Sequence, residues 1–325
     1  MKIHNSTKSF EGTRPIVTMG IFDGVHPGHK ALLRRTVEIA KAYQTESVVL
    51  TFWTHPRIVL NQEPEKLRLL TTLDEKFKLI EELGVNNIIV LPFTAELASL
   101  TAEKFVEEIL VNDLNTGCLV VGYNHRFGHG GITYENLQHL SEKFNFSLCR
   151  IPQIEKDGQF PSSTKIRNLL LKGDIQQANQ LLGYRYIISG IVKEGNKIGR
   201  KLSYPTANIL IDEPLKLIPS DGVYACFVKT NGDYFEGMVN IGVRPTFNTQ
   251  NVEHSIEVHI LDFKHNIYGE KIELNLVARM RDEIQFSNLY ELKKQIKADE
   301  INVRKIIKEE LIDKFANIIY NNSLT

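Results

Sequence analysis

The chain has 325 residues, a mass of 37.1 kDa and 42% apolar residues, an ordinary globular composition that excludes disordered and fibrous classes. Lys and Arg together number 39, as do Asp and Glu, and neither half has the basic excess that a nucleic-acid binder needs. A polar N-terminus, no apolar run long enough for a membrane span and only three cysteines predict a cytoplasmic protein without nucleic-acid or membrane partners.

Strands and helices alternate in the first half of the chain. Apolar, β-branched segments predict strands at 15–22, 47–53, 86–93, 118–123 and 147–152. Helical spacing predicts helices at 29–43, 72–83, 101–113, 135–145, 162–173 and 174–183. Because uniformly apolar strands are covered on both faces, we predict an α/β fold with a doubly wound, Rossmann-like parallel sheet.

The pattern changes after Gly183. Six strand candidates follow without a helix between them, at 185–195, 206–211, 222–230, 234–242, 255–263 and 271–280. This run predicts a small six-stranded antiparallel β-barrel, and residues 288–312 predict an amphipathic C-terminal helix. We therefore place a domain boundary near residue 184, which gives domains 1–183 and 184–325.

A loop rich in glycine and histidine, residues 20–29, connects the first predicted strand to the first helix. In a doubly wound sheet this is the ligand-binding edge, and a helix start offers free N–H groups to a phosphate. Gly24 and Gly28 allow close backbone approach, and His26 and His29 can hydrogen-bond phosphoryl oxygens. A Pro-Gly turn with incidental histidines is the alternative interpretation.

Three more segments are candidates for the same site. Residues 52–56 end the second predicted strand, and residues 122–128 end the fourth. Residues 162–167 begin a helix with hydroxyls and free N–H groups, which suit an ATP phosphate tail. A plain Ser or Thr N-cap explains those hydroxyls equally well.

Four segments of the first half resemble the adenylyltransferase module of bacterial bifunctional riboflavin kinase/FMN adenylyltransferases (FAD synthetases): GIFDGVHPGH, TFWTHP, GYNHRFG and SSTKIR. Five segments of the second half resemble the riboflavin kinase module of the same family: GRKLSYPTAN, GVYA, NIGVRPTF, EVH and RDE. The resemblance spans about residues 15–310. It implies two successive reactions, ATP-dependent phosphorylation of riboflavin to FMN and then adenylylation of FMN by ATP to FAD, with release of pyrophosphate.

For the first module, the resemblance implies roles residue by residue. His26 and His29 would be catalytic, and ATP would be bound by Phe22, Gly24, His26, Gly28, His29, Ser163, Thr164 and Arg167. The flavin would be bound by His55, Pro56, Asn124 and Arg126. The phosphate of FMN is itself the attacking nucleophile, so catalysis needs positioning and charge stabilisation rather than a protein nucleophile.

For the second module, a Walker phosphate-binding loop is absent from the sequence. The resemblance implies Glu257 as general base, and it implies ATP binding by Gly199, Lys201, Thr206 and Asn208. Thr206 and Asn208 would also hold Mg²⁺, and Arg281 and Glu283 would bind the flavin. Strand alternation leads us to expect Glu257 to point into the barrel with His259.

Purely structural explanations stay open for these residues. Thr206 and Asn208 are also explained by ordinary strand pairing, Glu257 by an exposed edge strand and Arg281 by a surface ion pair. Ser203 stands where the family usually has glycine.

At the level of the whole protein, the alternatives are an enzyme with one active module and a non-catalytic flavin sensor. We expect riboflavin, FMN and ATP as partners, and a monomer or a transient homo-oligomer.

Overall fold

The computed structural model describes residues 1–53, 55–123, 131–155, 158–194, 204–244 and 253–322. The chain forms two compact units, Met1–Ser163 and Thr164–Thr325. The units therefore divide some twenty residues before the predicted boundary near residue 184, which stays a prediction. None of the helices in the described part of the chain is both long and apolar enough to cross a bilayer.

The first unit is built on a six-stranded sheet in which every neighbouring pair is parallel. The strands are β1 Lys2–His4, β2 Ile16–Met19, β3 Ser47–Phe52, β4 Asn87–Leu91, β5 Cys118–Val121 and β6 Ser147–Arg150, in the spatial order β1-β4-β3-β2-β5-β6. Strands β2, β3 and β5 are buried at every position, which confirms the doubly wound parallel sheet. The strand order reverses between β2 and β5, so the ligand crevice is expected at the carboxyl ends of these two strands.

Strand β1 was not predicted, because three residues are too few to show a periodicity. Its presence corrects the numbering of the site loops. The loop with His26 and His29 follows the second strand of the chain rather than the first, and the other two candidate loops follow the third and the fifth. The strand before the histidine loop also ends at Met19, three residues earlier than predicted.

The helices of this part of the chain include those predicted at 29–43, 72–83, 101–113 and 135–145, together with two short helices that were not predicted. They are α1 Pro27–Ala42, α2 Pro56–Val59, α3 Leu73–Glu81, α4 Ala95–Ser99, α5 Ala102–Phe105 with its π-helical continuation Val106–Asp113, and α6 Tyr134–Lys143, with 3-10 turns at Thr7–Ser9 and Pro64–Lys66. A capping box begins α3, since Thr72 and Glu75 each accept a hydrogen bond from the other's backbone N–H. Two short helices follow, α7 Ser163–Leu171 and α8 Ile175–Leu182.

The second unit contains the predicted closed barrel of six antiparallel strands. They are β7 Tyr186–Lys193, β8 Ala207–Leu210, β9 Gly222–Thr230, β10 Asp233–Arg244, β11 Glu253–Ile260 and β12 Lys271–Arg281, in the order β10-β11-β8-β7-β12-β9. The C-terminal helix α9, Leu289–Asn322, packs on the outside of the barrel. Val303 and Ile307 of α9 are buried there against Met238 and Val277.

Candidate active sites

The loop before α1 has a strained backbone. Phe22, Gly24 and Val25 have φ angles of 50°, 80° and 35°, in the left-handed region that only glycine adopts without cost. Phe22 and Val25 are buried, and this burial holds them in place. Such strain concentrates at functional sites. Here it brings His26 to the N-cap of α1, with Pro27 as the first helical residue.

The side chain and the carbonyl of Asp23 tie this loop to two other segments. Its carboxylate accepts hydrogen bonds from the backbone N–H groups of Leu70 at 2.9 Å and Thr71 at 3.1 Å. Its carbonyl accepts one from the Ser163 hydroxyl at 2.8 Å. The predicted Ser163 therefore lies at the loop, and Thr164 and Arg167 follow it in α7. Sequence reasoning gave Asp23 no role, because an Asp-Gly pair is typical of any turn.

The two histidines form a stacked pair. Their ring centroids are 3.7 Å apart, with 17° between the planes. The Nδ1 atoms of both rings are buried and have no hydrogen-bond partner among the described residues. Gly28 makes room for this arrangement, since a Cβ atom there would lie 3.2 Å from Cε1 of His26. Buried polar atoms without partners are rare, and at a helix start they indicate a ligand-binding position.

Both histidines are neutral at pH 7. Burial lowers the pKa of His26 to about 4, although the Asp23 carboxylate opposes the shift. Burial, His26 and Lys76 together hold the pKa of His29 well below its usual value. Each neutral imidazole has one N–H group, so each can donate one hydrogen bond to a phosphate oxygen.

We expect the first unit to lose stability as the pH falls from about 6.5 towards 4. In this range the unfolded chain binds a proton at His26 and the folded chain does not, so stability rises with pH. His26 alone should make unfolding about 2 kcal/mol easier at pH 5 than at pH 7. Urea unfolding followed by the fluorescence of Trp53, the single tryptophan, measures this. The His26→Asn variant should lose that part of the pH dependence, and an unchanged dependence would contradict the prediction.

The predicted flavin side of this unit is partly described. His55 is the N-cap of α2, and its Nδ1 accepts a hydrogen bond from the Arg57 backbone N–H at 3.2 Å. Pro56 is the first residue of that helix. Asn124 and Arg126 lie outside the described residues. His55 therefore has a structural role that the sequence did not indicate.

Lys76 is a further polar residue at this site. It lies in α3, is 2% exposed, and places its Nζ 5.8 Å from the centroid of the Trp53 ring. Burial lowers the pKa of Lys76 to about 8, against the attraction of Asp23. This burial was not predictable from the sequence, because a lysine in an amphipathic helix is usually at the surface.

In the second unit, a pocket of about 350 Å³ contains most of the predicted kinase residues. It lies on the outside of the barrel, next to the first turns of α9, and its lining includes Thr206, Val223, Met238, Asn240, Glu257, Arg281, Glu283, Phe286, Leu292, Ile296 and Asp299. The expectation that Glu257 points into the barrel is therefore wrong. Its strand neighbours Ile256 and Val258 are the buried residues, and alternation turns Glu257 outward.

Strand register gathers the predicted kinase residues around Glu257. Asn208 of β8 and Asn240 of β10 are its direct partners on the two neighbouring strands. Thr206, just before β8, donates its hydroxyl to Glu257 Oε2 at 3.4 Å. Groups of three or more His, Cys, Asp or Glu side chains able to hold a metal are not found in the described part of the chain. The oxygen donors present here are a hydroxyl, an amide and a carboxylate.

Arg281 and Glu283 both line this pocket. The Arg281 guanidinium binds the Asp299 carboxylate of α9 with its Nε at 3.1 Å and its Nη2 at 2.7 Å. Asp299 is 5% exposed, so this is a largely buried pair and not the surface ion pair considered above. Glu283 accepts a hydrogen bond from the Asn240 amide at 2.8 Å. The pocket wall is thereby tied to α9.

A second pocket, of about 430 Å³, is also lined by Thr206. Thr206 lines both pockets, and the second is completed by Val192, Pro205, Ala207, Val258, Ile260 and the segment 263–268. No functional role was predicted for residues 263–268, because this segment contains no recognisable phosphate- or metal-binding pattern. Gly199, Lys201 and Ser203 lie outside the described residues.

Comparison with known proteins identifies a family for each half of the chain. The FAD synthetase family model matches residues 9–165, and the riboflavin kinase family model matches residues 182–307. Bifunctional riboflavin kinase/FMN adenylyltransferases are similar along the whole chain. The protein of Buchnera aphidicola (subsp. Schizaphis graminum) is 36% identical over 98% of both chains, and that of Bacillus subtilis is 34% identical over 95% of both.

A solved structure supports the fold. A crystal structure described as a macrolide-efflux protein from Streptococcus pneumoniae is 31% identical, with a TM-score of 0.84 over 93% of this chain and 98% of that one. The family models show a nucleotidyltransferase module followed by a kinase module. The chain therefore belongs to the bifunctional riboflavin kinase/FMN adenylyltransferase family, with its FAD synthetase module first and its riboflavin kinase module second.

Proposed function

We propose that the site residues described above carry out both reactions of this family, phosphorylation of riboflavin and adenylylation of FMN. The observation that carries the kinase part is that Thr206, next to Glu257, forms the wall shared by two pockets. A phosphoryl donor in one pocket and an acceptor in the other would meet at this wall. Phosphoryl transfer depends mainly on such positioning.

Riboflavin fits the pocket that contains Glu257. Its isoalloxazine ring is largely apolar and matches the side chains of Val223, Met238 and Phe286. Its 5′-hydroxyl would then approach Glu257, which takes up the proton as the oxygen bonds to the γ-phosphorus of ATP and the bond to ADP breaks. ATP would occupy the second pocket, in which Lys264 is a cation able to approach its phosphates.

Mg²⁺ fits the oxygen donors next to Glu257. The Thr206 hydroxyl and the Asn208 amide oxygen are hard ligands, and they would complete the shell of an ion that ATP phosphates already bind. When bound, the ion would neutralise phosphate charge. Gly199 and Lys201 would bind ATP, as the family resemblance implies. Arg281 and Glu283 would bind the flavin.

In the first unit, ATP would bind at the start of α1. Gly24 and Gly28 leave space for its phosphates, and His26 and His29 donate hydrogen bonds to oxygens on which charge develops. An FMN phosphate oxygen would bond to the α-phosphorus as the bond to pyrophosphate breaks. Ser163, Thr164 and Arg167 would hold the leaving pyrophosphate, and the flavin would lie against His55, Pro56, Asn124 and Arg126.

Domain boundary, location and assembly belong to the same proposal. The match to the FAD synthetase model ends at residue 165, and the match to the riboflavin kinase model begins at residue 182. This supports a boundary close to residue 184. We expect the enzyme to act in the cytoplasm, where ATP is available, as a monomer or a transient homo-oligomer. We expect no role for nucleic acid, because the net charge is zero.

Flavin chromatography tests the proposal. Purified protein is incubated with ATP and Mg²⁺, together with riboflavin in one tube and FMN in another. We expect FAD in both tubes, with FMN as an intermediate in the first. Accumulation of FMN without FAD would leave an enzyme whose first module is silent. Absence of product in both tubes would favour the flavin-sensor alternative.

A further inference from the structure

Lys76 is a buried lysine whose ammonium group has no hydrogen-bond or ion-pair partner among the described residues. Lys76 lies in the first turns of α3 and is 2% exposed. The centroid of the Trp53 ring is 5.8 Å from Nζ, near the limit of a cation–π interaction.

The charged and titratable groups around Lys76 are those of the histidine loop. Its positive charge contributes to the lowered pKa of His29, and the Asp23 carboxylate attracts it. That carboxylate, however, accepts hydrogen bonds from Leu70 and Thr71. The positive charge of Lys76 therefore acts on the histidine loop, where we propose that the ATP phosphates bind.

Folding alone does not account for a lysine in this position. Taking an ammonium group out of water costs several kcal/mol unless partners compensate it. A methionine would fill similar space without that cost. A buried charge that lowers the stability of the fold is typical of functional sites, where the charge is needed for binding or catalysis. An anionic ligand would supply the negative charge that balances the Lys76 ammonium. His26 and His29 are neutral and cannot supply it.

We propose that Lys76 binds the phosphate chain of ATP in the first unit and supplies the positive charge that stabilises adenylyl transfer. This inference rests on the proposed adenylyltransferase activity of that unit. The FMN phosphate oxygen bonds to the α-phosphorus, and the bond from that phosphorus to the bridging oxygen breaks. Pyrophosphate leaves with the electron pair. Lys76 transfers no proton, and its charge lowers the energy of the oxygens that gain charge in this step.

The test compares Lys76→Met, Lys76→Arg and a matched control, Lys41→Met, at an exposed position in α1 of the same unit. Lys76→Met should lower kcat/KM for FMN adenylylation about 100- to 1,000-fold. Lys76→Arg keeps the charge and should recover part of the activity, and the control should match the wild type. Riboflavin phosphorylation, measured on the same samples, should be unchanged in all three variants.

Thermal unfolding followed by Trp53 fluorescence separates function from structure. The unfolding midpoint of Lys76→Met should equal or exceed that of the wild type, because a buried charge with no hydrogen-bond or ion-pair partner among the described residues is removed. Lost activity with a lowered midpoint, not recovered in Lys76→Arg, would assign a structural role and overturn the inference. Full adenylylation by Lys76→Met would overturn it as well. A wild type without adenylylation would instead refute the proposed function.

Discussion

The Glu257→Gln variant should lose riboflavin kinase activity and keep FMN adenylyltransferase activity. Glutamine has the shape of glutamate and can still accept a hydrogen bond from the Thr206 hydroxyl, which lies 3.4 Å from Glu257 Oε2. It cannot take up the proton of the riboflavin 5′-hydroxyl. Loss of a general base should lower kcat about 100- to 10,000-fold, with little change in the KM for riboflavin. Separate assays with riboflavin and with FMN measure the two activities.

Glu309→Gln is the matched control for this variant. Its carboxylate lies on α9, is 61% exposed and approaches Lys305 at 3.9 Å, so its removal should leave both activities unchanged. Full phosphorylation by Glu257→Gln would show that another group takes the proton. Loss of both activities in that variant would contradict independent sites in the two units.

The opposite pattern is expected of His29→Asn, with adenylylation lost and riboflavin phosphorylation kept. His29 stacks on His26 with 3.7 Å between ring centroids, and its Nδ1 is buried without a partner among the described residues. Asparagine is too short to place a donor at the position of the distal ring nitrogen. Removal of one preorganised donor to a developing phosphate charge should lower kcat about 100- to 1,000-fold. Release of pyrophosphate from ATP and FMN measures this activity.

The same substitution at an exposed histidine controls for the loss of an imidazole. His139→Asn, on the surface of α6, should leave both activities at wild-type values. Unchanged adenylylation in His29→Asn would remove that histidine from the catalytic machinery. An unfolded variant would be recognised by a lost Trp53 unfolding transition. In that case His29→Phe, which keeps a ring next to His26 but has no donor nitrogen, should retain the fold and still lose activity.

The sequence alone determined the architecture and proposed candidate residues for both sites, although it did not indicate Asp23 or Lys76. Strands such as β3 and β9 are long enough to show their apolar pattern, and residues 20–29 and 199–208 have the order and spacing of the family motifs. Such features are local, because propensity, capping and motif spacing depend on neighbouring residues. The capping box at Thr72 was predictable for that reason.

Tertiary structure decided which groups lie close together and how they are charged. Glu257 points outward because Ile256 and Val258 occupy the buried face of β11. The alternation along the strand was compatible with either orientation. The low pKa of His26 and the burial of Lys76 come from packing between segments some fifty residues apart. Desolvation is a property of the surrounding fold, so a sequence pattern does not contain it.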